Sequence, residues 1–443
     1  MIQSSIFAGK SYVVLGLARS GLATVRSLAA SGARVVAWDA RDEARDAVAG
    51  AAELADPLTI DLSGFDGVVV SPGVPLNRHP IADHARAAGV PIIGDIELFA
   101  LARVTLPRHK VVGITGTNGK STTTALIHHI VETAGIPTMM GGNIGLPILG
   151  QNPLPEGGVY VLELSSYQID LTFNLDCDVA ALLNITPDHL DRYDGFNGYV
   201  ASKARLFVMQ STDHARVIAT DDPDTAAIAS ALEGVTEVHG ASVSPVDQAR
   251  WPALQGPHNA QNVAVARAVA EALGIGEAVV ERALCCYASL PHRMQRVAER
   301  CGVLYVNDSK ATNPASAAPA LAAYPPVDGE PRIHWIVGGL AKSDRLDECV
   351  PYFGNVKAAY TIGEAGHVFA PLLQPHMPVD DSEMLITAVR RAARVAKPGD
   401  VVLLSPACAS FDQFRDFEAR GDAFVAAVAA IEAQPSDEGV RNA

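Results

Sequence analysis

The stretch Gly113-Ile-Thr-Gly-Thr-Asn-Gly-Lys-Ser-Thr122 decides the fold, because it joins two segments of different periodicity through a glycine-rich turn. Before it, Lys110-Val-Val-Gly-Ile114 is a short apolar run that predicts a buried strand. After it, Leu126, Ile127, Ile130 and Val131 recur at helical spacing and predict one buried face of a helix from Thr123 to Ala134. A strand, a glycine turn and a helix in that order put backbone N–H groups at a helix N-terminus, where the helix dipole favours an anion. Lys120 can then reach outer phosphates and the Ser121 hydroxyl can hold Mg²⁺, so the turn predicts a bound nucleoside triphosphate. The general phosphate-loop pattern wants glycine six residues before the lysine. This chain has Ile114 there, with glycines at 113 and 116.

Upstream, strand-like and helix-like patterns alternate. Ser11-Tyr-Val-Val-Leu15, Arg34-Val-Val-Ala-Trp38 and Gly67-Val-Val-Val70 predict strands, and Gly21 to Ala30 predicts a helix, which is a Rossmann-like layout. The first turn, Gly16-Leu-Ala-Arg-Ser-Gly21, matches the dinucleotide fingerprint except that Ala18 replaces the glycine that lets a pyrophosphate approach. A different nucleotide diphosphate, or no cofactor, fits this turn at least as well as NAD. Asp39, after the second strand, could still serve an NAD ribose.

Downstream, Gly158-Val-Tyr-Val-Leu-Glu-Leu164 and Val179-Ala-Ala-Leu-Leu-Asn184 are near-continuous apolar runs suited to a parallel sheet buried on both faces. Ligands collect outside the C-terminal ends of such strands, so Lys120, Ser121, Glu163 and His189 are expected to converge on one crevice. A third unit begins near Leu290-Pro-His-Arg293, with strands predicted at Val303–Val306, Ile333–Val337, Ala358–Ile362 and Val401–Leu404 and helices at 315–323 and 384–396. The expected class is α/β with three domains: a Rossmann-like N-terminal domain over 1–100, a central P-loop parallel-sheet ATPase domain over 101–290, and a Rossmann-like C-terminal domain over 291–443.

A length of 443 residues suits roughly three domains of ordinary size. With 34 Lys and Arg against 49 Asp and Glu, the formal charge of -15 argues against non-specific nucleic-acid binding and against docking on anionic lipid. No stretch reaches about 18 apolar residues, and the first ten residues do not read as a secretion signal. A cytoplasmic, monomeric chain without membrane insertion is expected. Six cysteines, without Cys-x-x-Cys spacing, predict reduced thiols and no zinc.

The form Gly-Thr-Asn-Gly-Lys-Ser at 116–121, together with Asp308, Lys310, Thr312, Asn313 and Ser405-Pro-Ala-Cys-Ala-Ser-Phe-Asp-Gln-Phe414, resembles the Mur ligase family over residues 7–430. The resemblance implies ATP-driven amide formation through an acyl phosphate, with ATP, UDP-N-acetylmuramoyl-L-alanine and D-glutamate as substrates in peptidoglycan precursor synthesis. It implies that Lys120, His189 and Lys203 are catalytic. Ser121, Glu163, His189 and a carbamylated Lys203 would hold two Mg²⁺ ions, since an anionic carboxylate must approach an anionic triphosphate. For ATP it implies Gly116, Thr117, Asn118, Gly119, Lys120, Ser121 and Thr122, with Asn262 near the adenine and Arg293 and Asp308 from the third domain. Domain closure would then form part of catalysis. The uridine nucleotide sugar falls to Ala18, Arg19, Ser20, Gly21, Asp39, Arg41 and Gly73, with Asn143 and His189 at the sugar and peptide side. D-Glutamate falls to Lys310, Thr312, Lys342, Ser410 and Phe417, although an aromatic spaced from Phe414 and Phe424 as Phe417 is also suits a core position.

Two readings from other classes compete. An NAD-dependent oxidoreductase would use the first domain as a dinucleotide site, and Ala18 and the phosphate loop speak against it. A nucleotide-binding regulator without catalysis would leave Glu163, His189 and Lys203 without a purpose.

Overall fold

The structure is a computed structural model describing residues 1–188, 190–342 and 344–431. It divides into two compact units, Met1–Val243 with Gln261–Leu284, and Ser244–Ala260 with Cys285–Ala443.

The first unit holds two parallel sheets. Strands β1 (Ser11–Leu15), β2 (Arg34–Trp38), β3 (Glu53–Leu54), β4 (Gly67–Val70) and β5 (Ile92–Ile93) pair in the order β3-β2-β1-β4-β5. Strands β6 (His109–Thr115), β7 (Thr138–Gly142), β8 (Gly158–Glu163), β9 (Val179–Leu182), β10 (Ala215–Ala219) and β11 (Val235–Val238) pair in the order β11-β10-β9-β6-β8-β7. Every residue of β8 and β9 is buried, as their unbroken apolar runs require between two layers of helices. One apolar cluster runs from Ile2 and Phe7 through Phe99 and Tyr160 to Ile218, so the two sheets share a continuous core.

The second unit holds a mixed sheet: β12 (Gln295–Arg300), β13 (Val303–Asn307), β14 (Ile333–Gly338), β15 (Val356–Ile362), β16 (Val379–Glu383) and β17 (Val401–Leu404), in the order β12-β13-β17-β14-β15-β16. Only β12 runs antiparallel within it. Alternate residues of β14 serve opposite faces: Ile333, Trp335 and Val337 pack with Phe369, while Ile336 packs with Val389 and Phe424. The edge strands β11, β12 and β16 are polar and partly exposed, so their sequences lack the apolar runs that mark the interior strands. Among the described residues no helix is long and apolar enough to cross a membrane.

Candidate active site

The phosphate loop leaves β6 at Thr115 and enters the helix Lys120–Thr133. Gly119 caps that helix in a left-handed conformation with φ of 82°. A Cβ there would also collide with the Asn262 side chain, so the turn needs glycine and the predicted adenine-side residue touches the loop. The loop is held from behind by Asn184, two residues beyond the end of β9. Its Oδ1 accepts from the Asn118 N–H at 2.8 Å, and its Nδ2 donates to the Asn118 carbonyl at 3.2 Å and to Gln261 Oε1 at 2.9 Å. Thr117 Oγ1 accepts from the Thr186 N–H at 3.0 Å and lies 3.2 Å from the Tyr199 hydroxyl. Asn184, Gln261 and Tyr199 were absent from the expected site, because a polar residue at a strand end or on a helix carries no motif of its own.

Two lysines converge on one carbonyl. Lys120 Nζ donates to the Gly116 oxygen at 2.9 Å and to the Thr117 oxygen at 2.7 Å, and Lys203 Nζ donates to the Gly116 oxygen at 2.7 Å. Lys203, on the helix Gly195–Val208, is 1% exposed. Burial holds its amine well below the ordinary lysine range and the Lys120 charge adds to that, against the opposing pull of Asp188 and Asp170. A buried amine driven towards its neutral form is the species that can take up carbon dioxide.

Glu163 ends β8 beside the loop, since Ile114 of β6 pairs with it in parallel register. It is 2% exposed; Oε1 accepts from Asn143 Nδ2 at 2.9 Å, while Oε2 is buried with no hydrogen-bond partner among the described residues. A buried carboxylate oxygen without a donor suits a hard cation, which makes this end of the sheet a fit for Mg²⁺. Asn143 is placed by its own N–H, which donates to the Glu163 carbonyl at 2.8 Å. Ser121 occupies the second position of the helix after the loop. His189 lies outside the described residues.

The residues expected to meet a uridine nucleotide gather at the C-terminal ends of β1, β2 and β4. Asp39 Oδ2 accepts from the Leu17 N–H at 2.8 Å, and Oδ1 accepts from the Arg41 N–H at 3.0 Å and from Arg41 Nε at 3.1 Å. The Arg41 guanidinium, joined by these backbone donors, holds the Asp39 carboxyl down at about 2 despite its partial burial. A Cβ on Gly21 would collide with the Gly16 carbonyl, so the third glycine of the fingerprint is needed for helix-on-strand packing. Ala18 is the extended residue before the helix Arg19–Ala30, which also carries Ser20. Arg19 donates to the Gly145 carbonyl, tying this turn to the segment that carries Asn143.

In the second unit, Asp308 follows β13 and is buried. Its Oδ2 accepts from Ser405 Oγ at 2.8 Å and its Oδ1 from the Met294 N–H at 3.1 Å. Burial pushes its carboxyl up to about 7, opposed by those donors and by the charges of Arg293 and Arg420. Lys310 Nζ lies 4.0 Å from the centroid of the Phe417 ring, so Phe417 faces the expected glutamate residues and the apolar face of its helix is carried by Phe424 instead. Thr312 precedes the helix Pro314–Ala322, whose N-cap is Asn313. Ser410 is buried at the end of a loop held by Trp335 Nε1, which donates to the Ser405 carbonyl at 2.7 Å, and by a bridge between Leu340 and Ala409. Lys342 is exposed two residues beyond that bridge.

Arg420, which the sequence did not single out, joins these two loops. It is 1% exposed; Nε donates to Ser309 Oγ at 3.0 Å, Nη2 to the Ser309 carbonyl at 2.8 Å and Nη1 to the Ala409 carbonyl at 3.1 Å. One buried guanidinium thereby fixes the residue before Lys310 and the residue before Ser410.

Comparison with known proteins supplies a second line. Residues 10–94 match the Mur ligase MurD-like N-terminal domain, 114–251 the Mur ligase middle domain, and 292–408 the Mur ligase glutamate ligase domain. A UDP-N-acetylmuramoylalanine--D-glutamate ligase of Novosphingobium aromaticivorans is 67% identical over 435 residues, covering 97% of each chain. The enzyme of the same name from Sphingopyxis alaskensis is 63% identical, covering 97% of this chain and all of that one. Among solved structures, the UDP-N-acetylmuramate-alanine ligase of Thermotoga maritima superposes with a TM-score of 0.57 over 95% of this chain and 99% of its own, at 16% identity, a likeness of fold.

Proposed function

The chain belongs to the Mur ligase family, and from that premise we propose that it joins D-glutamate to UDP-N-acetylmuramoyl-L-alanine at the expense of ATP, in peptidoglycan precursor synthesis. The observation that carries this reading is the pairing of a phosphate loop with Glu163 Oε2, a buried carboxylate oxygen that no donor among the described residues reaches, and with Lys203, a buried amine disfavoured as a cation. A nucleotide-binding scaffold has no use for either group. A reaction that brings a carboxylate to a triphosphate has a use for both, because each becomes an anionic oxygen ligand for a divalent cation.

In this reading the alanine carboxylate attacks the γ-phosphorus, ADP leaves, and the D-glutamate nitrogen then attacks the acyl carbon and expels phosphate. The N–H groups of residues 116–122 and Lys120 hold the triphosphate, and Asn262 and Gln261 back the loop. Ser121, Glu163, His189 and Lys203, the last as its carbamate, would hold Mg²⁺, which neutralises charge between the two reacting anions. Asp39, Arg41, Arg19 and the turn at Gly73 take the uridine nucleotide sugar, with Asn143 on the peptide side. Arg293 and Asp308 serve ATP. Lys310, Thr312, Lys342, Ser410 and Phe417 take the dicarboxylate, which needs the cations and hydroxyls this set supplies. The domains run over 1–100, 101–290 and 291–443, and the protein works as a cytoplasmic monomer.

Phosphate release from ATP tests the reading directly. Turnover is expected only when both UDP-N-acetylmuramoyl-L-alanine and D-glutamate are present; robust turnover with L-glutamate and none with the D-isomer overturns the substrate assignment.

A further inference from the structure

Arg192 lies outside every group of residues assigned above, yet it joins the uridine-side turn to the metal-side helix. Its Nη1 donates to the Val74 carbonyl at 3.2 Å and its Nη2 to the Gly73 carbonyl at 3.4 Å. The face of the same guanidinium lies 4.6 Å from the centroid of the Tyr167 ring. Tyr167 belongs to the helix Ser166–Asp170, which starts three residues after Glu163 and is fixed by a capping box between Ser165 and Gln168. Tyr167 also stacks on Tyr193, with ring centroids 6.0 Å apart and planes 12° apart, and the Tyr193 hydroxyl donates to Asp170 Oδ2 at 2.9 Å. A second tie runs beside the first: Asn77 Nδ2 donates to the Asp191 carbonyl at 2.8 Å.

The turn that Arg192 grips is anchored at its other end to the fingerprint loop, where Ser71 Oγ donates to the Gly16 carbonyl at 2.8 Å. Turn 71–77 therefore hangs between two supports, one at the nucleotide-gripping loop and one at the helix beside Glu163. A planar guanidinium can give two N–H groups to successive carbonyls while its face rests on an aromatic ring; an ammonium cannot do both.

We propose that Arg192 is a positioning residue for the nucleotide-sugar substrate: it fixes the Gly73-Val74 turn against Tyr167 and so sets the span from the uridine grip to the end of β8 where the carboxylate reacts. The inference rests on the function proposed above. A substrate held at one end and reacting at the other is sensitive to that span, since a shift of about 1 Å can cost on the order of a hundredfold in rate.

The test compares R192A and R192K with wild type in steady-state kinetics on all three substrates, in thermal melts, and in hydrogen exchange. With R192A the KM for UDP-N-acetylmuramoyl-L-alanine should rise about tenfold and kcat should fall by about the same factor. The KM values for ATP and D-glutamate should stay within about twofold, and the melting temperature within about 2 °C. R192K should recover only part of the loss. Equal shifts in all three KM values with a fall in melting temperature would show a merely structural role, and full rescue by lysine would refute the two-carbonyl fork; either result overturns the proposal. Exchange of the Val74 and Arg78 amides should speed up in R192A whether or not the enzyme turns over, and unchanged exchange also overturns it. A wild-type protein that ignores the nucleotide sugar would instead defeat the functional reading and leave the exchange measurement to decide on Arg192 alone.

Discussion

Lys203 and Arg420 are both long cations buried to 1% exposure, and their surroundings differ in kind. Arg420 gives its three nitrogens to three oxygens, and burial lowers its pKa only to about 10, so it stays charged at neutral pH. Lys203 shares one carbonyl with Lys120 and lies 4.6 Å from the centroid of the Tyr199 ring, and near the same loop Glu163 keeps an oxygen that no donor among the described residues reaches. A satisfied buried charge is scaffold, because any change leaves its partners exposed to the full cost of desolvation. A poorly satisfied one is held in place by the rest of the fold and is available for chemistry.

The comparison breaks most visibly at Lys203. Lys203→Ala should lose activity on the order of a thousandfold or more, the effect of several kcal/mol of lost cation-mediated charge stabilisation, while binding of the uridine nucleotide and the melting profile stay close to wild type. Carbon-13 NMR of enzyme prepared in labelled bicarbonate with Mg²⁺ should show a carbamate on Lys203. Its absence from active, metal-bound enzyme would end that assignment.

Arg420→Met should do the reverse at first order. Removing the guanidinium strands the Ser309 and Ala409 carbonyls in the interior and should cost about 3 kcal/mol in the transition of the second unit. D-Glutamate affinity should fall with it, because Lys310 and Ser410 each adjoin a residue that Arg420 holds. A variant that melts like wild type and still binds D-glutamate would show that the two loops do not depend on this residue.

Asp308 stands between these cases, being fully hydrogen-bonded yet costly as an anion. Its folded pKa of about 7 lies above the ordinary carboxyl value of roughly 3.9, so the fold favours the protonated acid. That contribution is complete below about pH 4 and is lost as pH rises to about 7, above which it stays lost. In protein without ligands, Asp308→Asn should flatten the fall in stability over this window by up to one proton. An unchanged slope in thermal melts at pH 4, 5.5 and 7 would mean that the buried carboxyl is already ionised.

How far the sequence discloses such differences depends on whether backbone geometry or packing dictates the residue. The phosphate loop was legible because a left-handed turn admits glycine at 119 and a triphosphate needs a lysine at 120. Interior strands β6, β8, β9, β13, β14, β15 and β17 were legible as apolar runs. The polar edges Gln295–Arg300 and Val379–Glu383 were not, since half-exposed strands obey cross-strand pairing more than composition. Arg420 was hidden for a related reason: an arginine among Glu418, Ala419 and Gly421 reads as a surface charge until the fold shows what its nitrogens touch. Asn184 was hidden too, because its partners in the phosphate loop and at Gln261 lie far from it in sequence.

The smallest effect bears most finely on what counts as scaffold. Ser309 Oγ accepts from Arg420 Nε and donates to the Phe417 carbonyl at 2.8 Å, so its hydroxyl fastens the start of the helix Phe417–Ala429 to the loop carrying Lys310. Ser309→Ala removes only that hydroxyl, since the Ser309 carbonyl still receives Nη2 of Arg420. The cost should be about 1 kcal/mol of stability, with the KM for D-glutamate within about threefold of wild type. A KM raised tenfold or more at unchanged stability would mean that the hydroxyl positions Lys310 and Phe417 for the substrate. In that event, satisfaction of hydrogen bonds alone would no longer separate the framework of this site from its working groups.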